Sequence, residues 1–317
     1  MRCRLLLTLG LLFAAALPAQ AGSTYLFSYF TGNGQDGLHF LRSDDGLSWR
    51  KVRHGASFLA PVIDADRLMR DPCIFHGPDG EYRLVWTTSW HSRTIGYAHS
   101  SDLIHWSQEE ALPVMAAEPT TLNAWAPELT YDPARHHYLI YWASTIPGRF
   151  PLTETSGQAK PSDPLYNHRI YATTTEDFVT FTPTRLLYDA GFNAIDATMA
   201  PDGTAWLMFI KDETLNPGVQ KNVRLVRAES PEGPFAPPSP PITPAKVWAE
   251  GPTSIKIGDA WFVYFDRYRE HRFGLVCSID LVHWTDLSDQ LTMPKEVRHG
   301  TVFAVPSALA DALETPP

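Results

Sequence analysis

The sequence predicts an all-β protein, a five-bladed β-propeller whose fifth blade is closed by pairing the N- and C-terminal strands. Three observations predict it. A short phrase ending in an aromatic residue recurs five times along the chain. Two strands precede each phrase, and in the full units a further strand begins the unit. The one unit that lacks its first strand has a spare strand at the opposite end of the sequence.

The phrase runs Ser43 to Trp49, Ser100 to Trp106, Thr175 to Phe181, Ser230 to Phe235 and Ser278 to Trp284. A strand ends, an acidic residue and a turn follow, and an aromatic folds back as the next strand starts. Asp45, Asp102, Asp177 and Asp280 are therefore assigned to turns. Successive terminal aromatics stand 57, 75, 54 and 49 residues apart, lengths for three- or four-stranded units. The longest interval holds a polar, Pro-rich insertion from Pro147 to Pro164, read as a surface loop.

The first full unit has strands at Asp71 to Phe75, Tyr82 to Thr88 and Thr94 to His99. The second has Ala126 to Tyr131, His137 to Ala143 and Arg169 to Thr174. The third has Asp196 to Ala200, Ala205 to Ile210 and Val223 to Ala228. The fourth has Glu250 to Ile255, Ala260 to Asp266 and Phe273 to Ser278. The remaining unit begins with Tyr25 to Thr31 and Leu38 to Arg42, and its missing strand is His299 to Pro306. Joining the two termini in one blade leaves no open sheet edge.

Residues 1–21 read as a signal peptide: Arg2 and Arg4, an apolar run from Leu5 to Leu17, and a small-x-small site at Ala19 to Ala21. That run is too short for an ordinary membrane span, and Cys3 precedes it, out of place for a lipobox. The expectation is an exported protein, periplasmic or extracellular, with residues 22–317 forming one propeller domain. A net charge of −9 with no basic block argues against nucleic acid as a partner. Only Cys73 and Cys277 follow the signal segment, in non-adjacent blades, so no disulfide framework is expected. Ten tryptophans and twelve tyrosines suit a carbohydrate partner, because sugar rings stack on aromatic faces.

In a propeller the first strand of each blade lines the central channel. Matching the first strands by their following turns puts Asp71, Trp125, Asp196, Glu250 and His299 at one level, with Glu128 the alternative occupant in the second unit. The three acids sit in apolar strands, where an unpaired charge is costly. Crowded carboxylates also push one another's pKa values apart, and glycoside cleavage uses such a spread: one carboxyl protonated, another ionised.

These residues resemble glycoside hydrolase family 43: Arg70-Asp71-Pro72, Ile195-Asp196 and Trp248-Ala249-Glu250-Gly251-Pro252, with Ala124-Trp125-Ala126-Pro127-Glu128 similar to that family's Trp-Ala-Pro signature. The resemblance covers nearly all of the mature chain. It implies an inverting mechanism, with Asp71 as general base, Glu250 as general acid and Asp196 tuning and orienting Glu250. Inversion sets the two carboxyls about 6.5–9.5 Å apart. It implies α-L-arabinofuranosidase activity first, with β-xylosidase or exo-β-galactanase as alternatives, and no required cofactor. The family often holds a calcium ion or water cluster on an axial histidine, the place His299 takes. One imidazole is a thin ligand set for a hard cation, and a hydrogen-bonded axial histidine is the alternative.

About fifty residues of the mature chain precede Asp71, more than is usual in the family, which suggests an outlying subfamily. The related sucrose-cleaving families carry an Asn-Asp-Pro and a Glu-Cys that are missing here, which disfavours a fructosidase. Trp125 is a candidate stacking platform for sugar, Trp90 a second, and Arg267 a candidate for binding hydroxyls. The rival from another class is a carbohydrate-binding propeller without catalysis, which has no need of three acids on its axis.

Overall fold

The computed structural model describes residues 23–315, so the expected signal segment lies outside the described residues. Blade 1 holds β1 (Ser23–Tyr29), β2 (His39–Ser43) and β3 (Arg50–Lys51). Blade 2 holds β4 (Arg70–His76), β5 (Tyr82–Thr87), β6 (Ile95–Ser100) and β7 (Glu110–Leu112). Blade 3 is β8 (Trp125–Asp132), β9 (His137–Ser144), β10 (Arg169–Thr175) and β11 (Arg185–Tyr188). Blade 4 is β12 (Ala194–Asp202), β13 (Ala205–Asp212) and β14 (Asn222–Ala228). Blade 5 is β15 (Glu250–Ile257), β16 (Ala260–Arg267), β17 (Arg272–Ser278) and β18 (Thr285–Asp286).

The last strand, β19 (Val302–Pro306), returns to blade 1 and pairs antiparallel with β1, Leu26 opposite Phe303. The ring closes through the two ends of the chain, as the missing first strand requires. Blade 4 lacks a regular fourth strand. Its outer edge is reduced to bridges from Ala228 to Phe235 and from Arg224 to Pro241, because the prolines from Pro231 to Pro241 have no N–H to give a ladder.

Five apolar clusters hold the blades together, one in each cleft between neighbours. Phe40 and Trp86 meet between blades 1 and 2, and Val85 and Ile140 between blades 2 and 3. Tyr141 and Met208 fill the next cleft, Phe209 and Val263 the one after, and Phe27 and Tyr264 seal blade 5 to blade 1. Because both faces of a blade are covered, the inner-middle strands read as apolar runs rather than alternating ones; every residue of β5 is buried. A C-terminal helix, α1 (Ser307–Glu314), adds Ala310 and Leu313 to the first cluster.

The recurrent phrase is a capped turn. Asp45, Asp102, Asp177 and Asp280 each accept backbone N–H bonds from residues two and three further on, at 2.7 to 2.9 Å. The next residue takes the left-handed conformation: Gly46, Leu103, Phe178 and Leu281. The Pro147 to Pro164 insertion is clasped to blade 4, where the Ser156 carbonyl accepts the N–H of Asn216 at 2.9 Å. Cys73 and Cys277 are both free thiols. No helix of the described residues is long and apolar enough to cross a membrane.

Candidate active site

Each first strand of blades 2 to 5 breaks register near its start, between Arg70 and Cys73, Trp125 and Glu128, Ile195 and Ala197, and Glu250 and Thr253. At the break one residue turns left-handed: Asp71 (φ 52°), Ala126 (45°), Asp196 (53°) and Gly251 (54°). Such bulges re-aim side chains next to functional sites. They also correct the level expected from sequence. Asp71 and Asp196 are equivalent, but Glu250 and Trp125 stand one position earlier, in register with Arg70 and Ile195.

The residues facing these positions on the second strands are Thr87, Ala143, Lys211 and Asp266. Thr87 and Lys211 line the site, and Asp266 meets it through Arg298. Thr87 donates to Asp71 Oδ2 at 2.8 Å and accepts the Ala126 N–H at 2.8 Å, tying blade 2 to blade 3. Lys211 Nζ lies 3.1 Å from Glu250 Oε2. Asp266 accepts from Arg298 Nε at 2.8 Å, and Arg298 Nη2 lies 3.4 Å from Glu250 Oε1.

Asp71, Asp196, Glu250 and His299 line one pocket of about 220 Å³, with Trp90 and Trp125 on its wall. The two indoles meet edge to face at 5.5 Å, and Trp125 Nε1 donates to the Trp90 carbonyl at 3.1 Å. Tyr166, at the end of the insertion, packs on Trp125 at 5.0 Å. Trp90 Nε1 and Arg70 Nη1 both donate to Asn33 Oδ1, and the Arg70 guanidinium lies 4.1 Å from the Trp90 ring centroid.

The carboxyls differ electrostatically. Burial opposes ionisation of Asp71, but the hydrogen bond and charge of His299, helped by Arg70 and Thr87, hold it down at about 2. His299 Nδ1 lies 3.3 Å from Asp71 Oδ1. Burial works against the imidazolium, yet Asp71, Asp196 and Glu128 raise it to about 9. Asp196 accepts the Gly251 N–H at 3.0 Å. Its carboxyl is raised from the usual range, by burial above all, with His299 and Lys211 opposing and Glu250 and Asp71 reinforcing. Two aspartates whose pKa values are displaced in opposite directions thus share one funnel.

Two expected site residues lie elsewhere. Glu128 is buried on the axis away from the pocket lining, accepting from Thr198 Oγ1 at 3.1 Å and Cys73 Sγ at 3.5 Å. Burial pushes its carboxyl up to about 7. It follows Trp125 by three residues, and the bulge turns it down the channel. Arg267 is turned to Glu270, with Nη2 2.7 Å from Oε1, instead of toward the pocket.

The surroundings of His299 do not fit a calcium cage. Its Nδ1 is engaged by Asp71, and a hard cation demands several oxygen ligands in place of one imidazole. Among the described residues, the three-donor cluster compact enough for a metal is Asp132, His137 and Glu232, none of which lines the pocket, and it is already bridged by Arg135.

Sequence reasoning missed Thr87, Lys211, Glu213 and Arg298, all in the pocket lining. A lysine at the end of an apolar second strand, beside Asp212 and Glu213, was the available signal. Lys211 is buried and shares Glu213 with the buried Lys221.

A family model described as a probable glycosyl hydrolase domain, of the group related to family 43, matches residues 21–311. An α-L-arabinofuranosidase of Bifidobacterium longum subsp. longum is 26% identical over 244 residues, 68% of this chain and 23% of that protein. The chain therefore spans about a quarter of the length of this curated relative. Among solved structures, an α-L-arabinofuranosidase of Lactobacillus brevis superposes with a TM-score of 0.54 at 16% identity, covering 69% of this chain and 72% of that one. An exo-β-1,3-galactanase of Phanerochaete chrysosporium superposes with a TM-score of 0.53 at 11% identity, covering 72% and 52%. At those identities the superpositions establish the fold alone.

Proposed function

The chain belongs to the glycosyl hydrolase domains related to family 43, and from that membership we propose that it hydrolyses O-glycosidic bonds of plant-type saccharides with inversion, as an exported α-L-arabinofuranosidase. The observation that carries the proposal is the paired environment of its acids: Asp71 ionised against His299, and Glu250 in the same pocket on separate partners. A binding propeller has no use for that arrangement.

Asp71 takes a proton from water as the water oxygen bonds to the anomeric carbon. The bond to the leaving oxygen breaks, and that oxygen receives the proton of Glu250. Asp196, its carboxyl pushed up by burial and bonded to the Gly251 N–H, orients the strand that carries Glu250. Trp90 and Trp125 offer the sugar an apolar wall. The preference for arabinofuranosides rests on the Bifidobacterium relative. Export rests on the segment 1–21.

The test is turnover of aryl α-L-arabinofuranoside, β-xyloside and β-galactoside by the native protein and by Asp71→Asn and Glu250→Gln. Hydrolysis of the arabinofuranoside with inversion, abolished by Asp71→Asn in a folded protein, is the expected result. Turnover confined to the xyloside or galactoside overturns the substrate, and full activity in Asp71→Asn overturns the mechanism.

A further inference from the structure

Glu250 is gripped by cations on both oxygens, with Lys211 Nζ 3.1 Å from Oε2 and Arg298 Nη2 3.4 Å from Oε1. A general acid has to face the leaving oxygen when that oxygen departs, and cations on both of its oxygens hold the carboxyl in one orientation. Neither cation is free to swing away. Arg298 is tied to Asp266 at 2.8 Å. Lys211 is buried with its ammonium 2.5 Å from Glu213 and 5.0 Å from the Tyr268 ring centroid, and Glu213 is bound on its other side by Lys221.

We infer that Lys211 is a positioning residue for the proposed acid: it fixes the Glu250 carboxyl in the orientation from which its proton reaches the leaving oxygen. The inference rests on the reading of Glu250 as the acid. Glu213, its carboxylate shared between the Lys211 and Lys221 ammonium groups, holds Lys211 in that place.

The test compares kcat and KM on an alkyl glycoside of the preferred sugar, whose poor leaving group needs the acid, with those on its dinitrophenyl glycoside, whose leaving group departs with little help from an acid. Lys211→Met is expected to lower kcat on the alkyl glycoside by about tenfold more than on the dinitrophenyl glycoside, with KM little changed, and Lys211→Arg is expected to restore most of the alkyl kcat. A lysine that only supports the fold lowers turnover of both substrates together, and that result overturns the inference. Should Lys211→Met not fold, Glu213→Gln, which loosens the Lys211 ammonium, carries the test, an unchanged ratio of alkyl to dinitrophenyl turnover overturning the inference. Full alkyl turnover in Glu250→Gln overturns the acid assignment and this inference together; a Glu250→Gln inactive on the alkyl glycoside, with unchanged ratios in the other variants, overturns only the inference.

Discussion

His299 and Gly251 are packed so closely that a Cβ at position 251 would lie 2.3 Å from His299 Cγ. Gly251 also sits at φ 54°, a conformation L side chains rarely adopt, and its N–H holds Asp196. Gly251→Ala therefore combines backbone strain with a clash against the residue that keeps Asp71 ionised. We expect it to destabilise the fold by about 2 kcal/mol or more, measured by thermal unfolding, with activity lost even in the folded fraction. Native-like stability and turnover in this variant would contradict the packing.

His299→Gln tests the ion pair itself. Without the imidazolium, the Asp71 carboxyl rises from about 2 toward ordinary values. Asp71, the proposed base, is then protonated at higher pH, so the acidic limb of kcat/KM should move up by about one pH unit or more. An acidic limb at its native position separates Asp71 from His299.

The same pair predicts how stability varies with pH. His299 is raised to about 9, so its contribution is complete below about 6.5 and is lost as pH rises through 9. Asp71 is lowered to about 2, so its contribution is present above about 4 and is lost as pH falls toward 2. One interaction underlies both shifts and is counted once, at most about 3 kcal/mol. Denaturant unfolding of the native protein should show stability falling between pH 6.5 and 9, and His299→Gln should flatten that fall.

Thr87→Val keeps the shape of the side chain and deletes the hydroxyl between Asp71 and the Ala126 N–H. A buried N–H is left without a partner, which costs about 1–3 kcal/mol. We expect a lower melting temperature and about tenfold lower kcat, while Thr87→Ser, which retains the hydroxyl, stays near native in kcat.

Trp90 is 40% exposed and borders the pocket, so its truncation leaves the core intact. Trp90→Ala should raise KM by about tenfold, the worth of one aromatic contact, with little change in melting temperature. An unchanged KM removes Trp90 from the sugar's path.

The sequence by itself determined the ring, because each turn phrase is a local device. Asp102 caps the N–H groups two and three residues on wherever that segment lies, and a chain beginning with a second strand must take its first strand from the other end. It also brought Asp71, Asp196 and Glu250 to the first strands, and their convergence on one pocket follows from that topology. Only the tertiary structure decided the one-residue stagger at the bulges, since register depends on which carbonyls the neighbouring strand offers. That stagger puts Glu250 level with Arg70, carries Glu128 out of the pocket, and brings Lys211 from one blade to Glu250 of the next. Lys211 and Glu250 are 39 residues apart in the chain, and no local pattern links them. Their contact exists because blades 4 and 5 pack side by side around the axis.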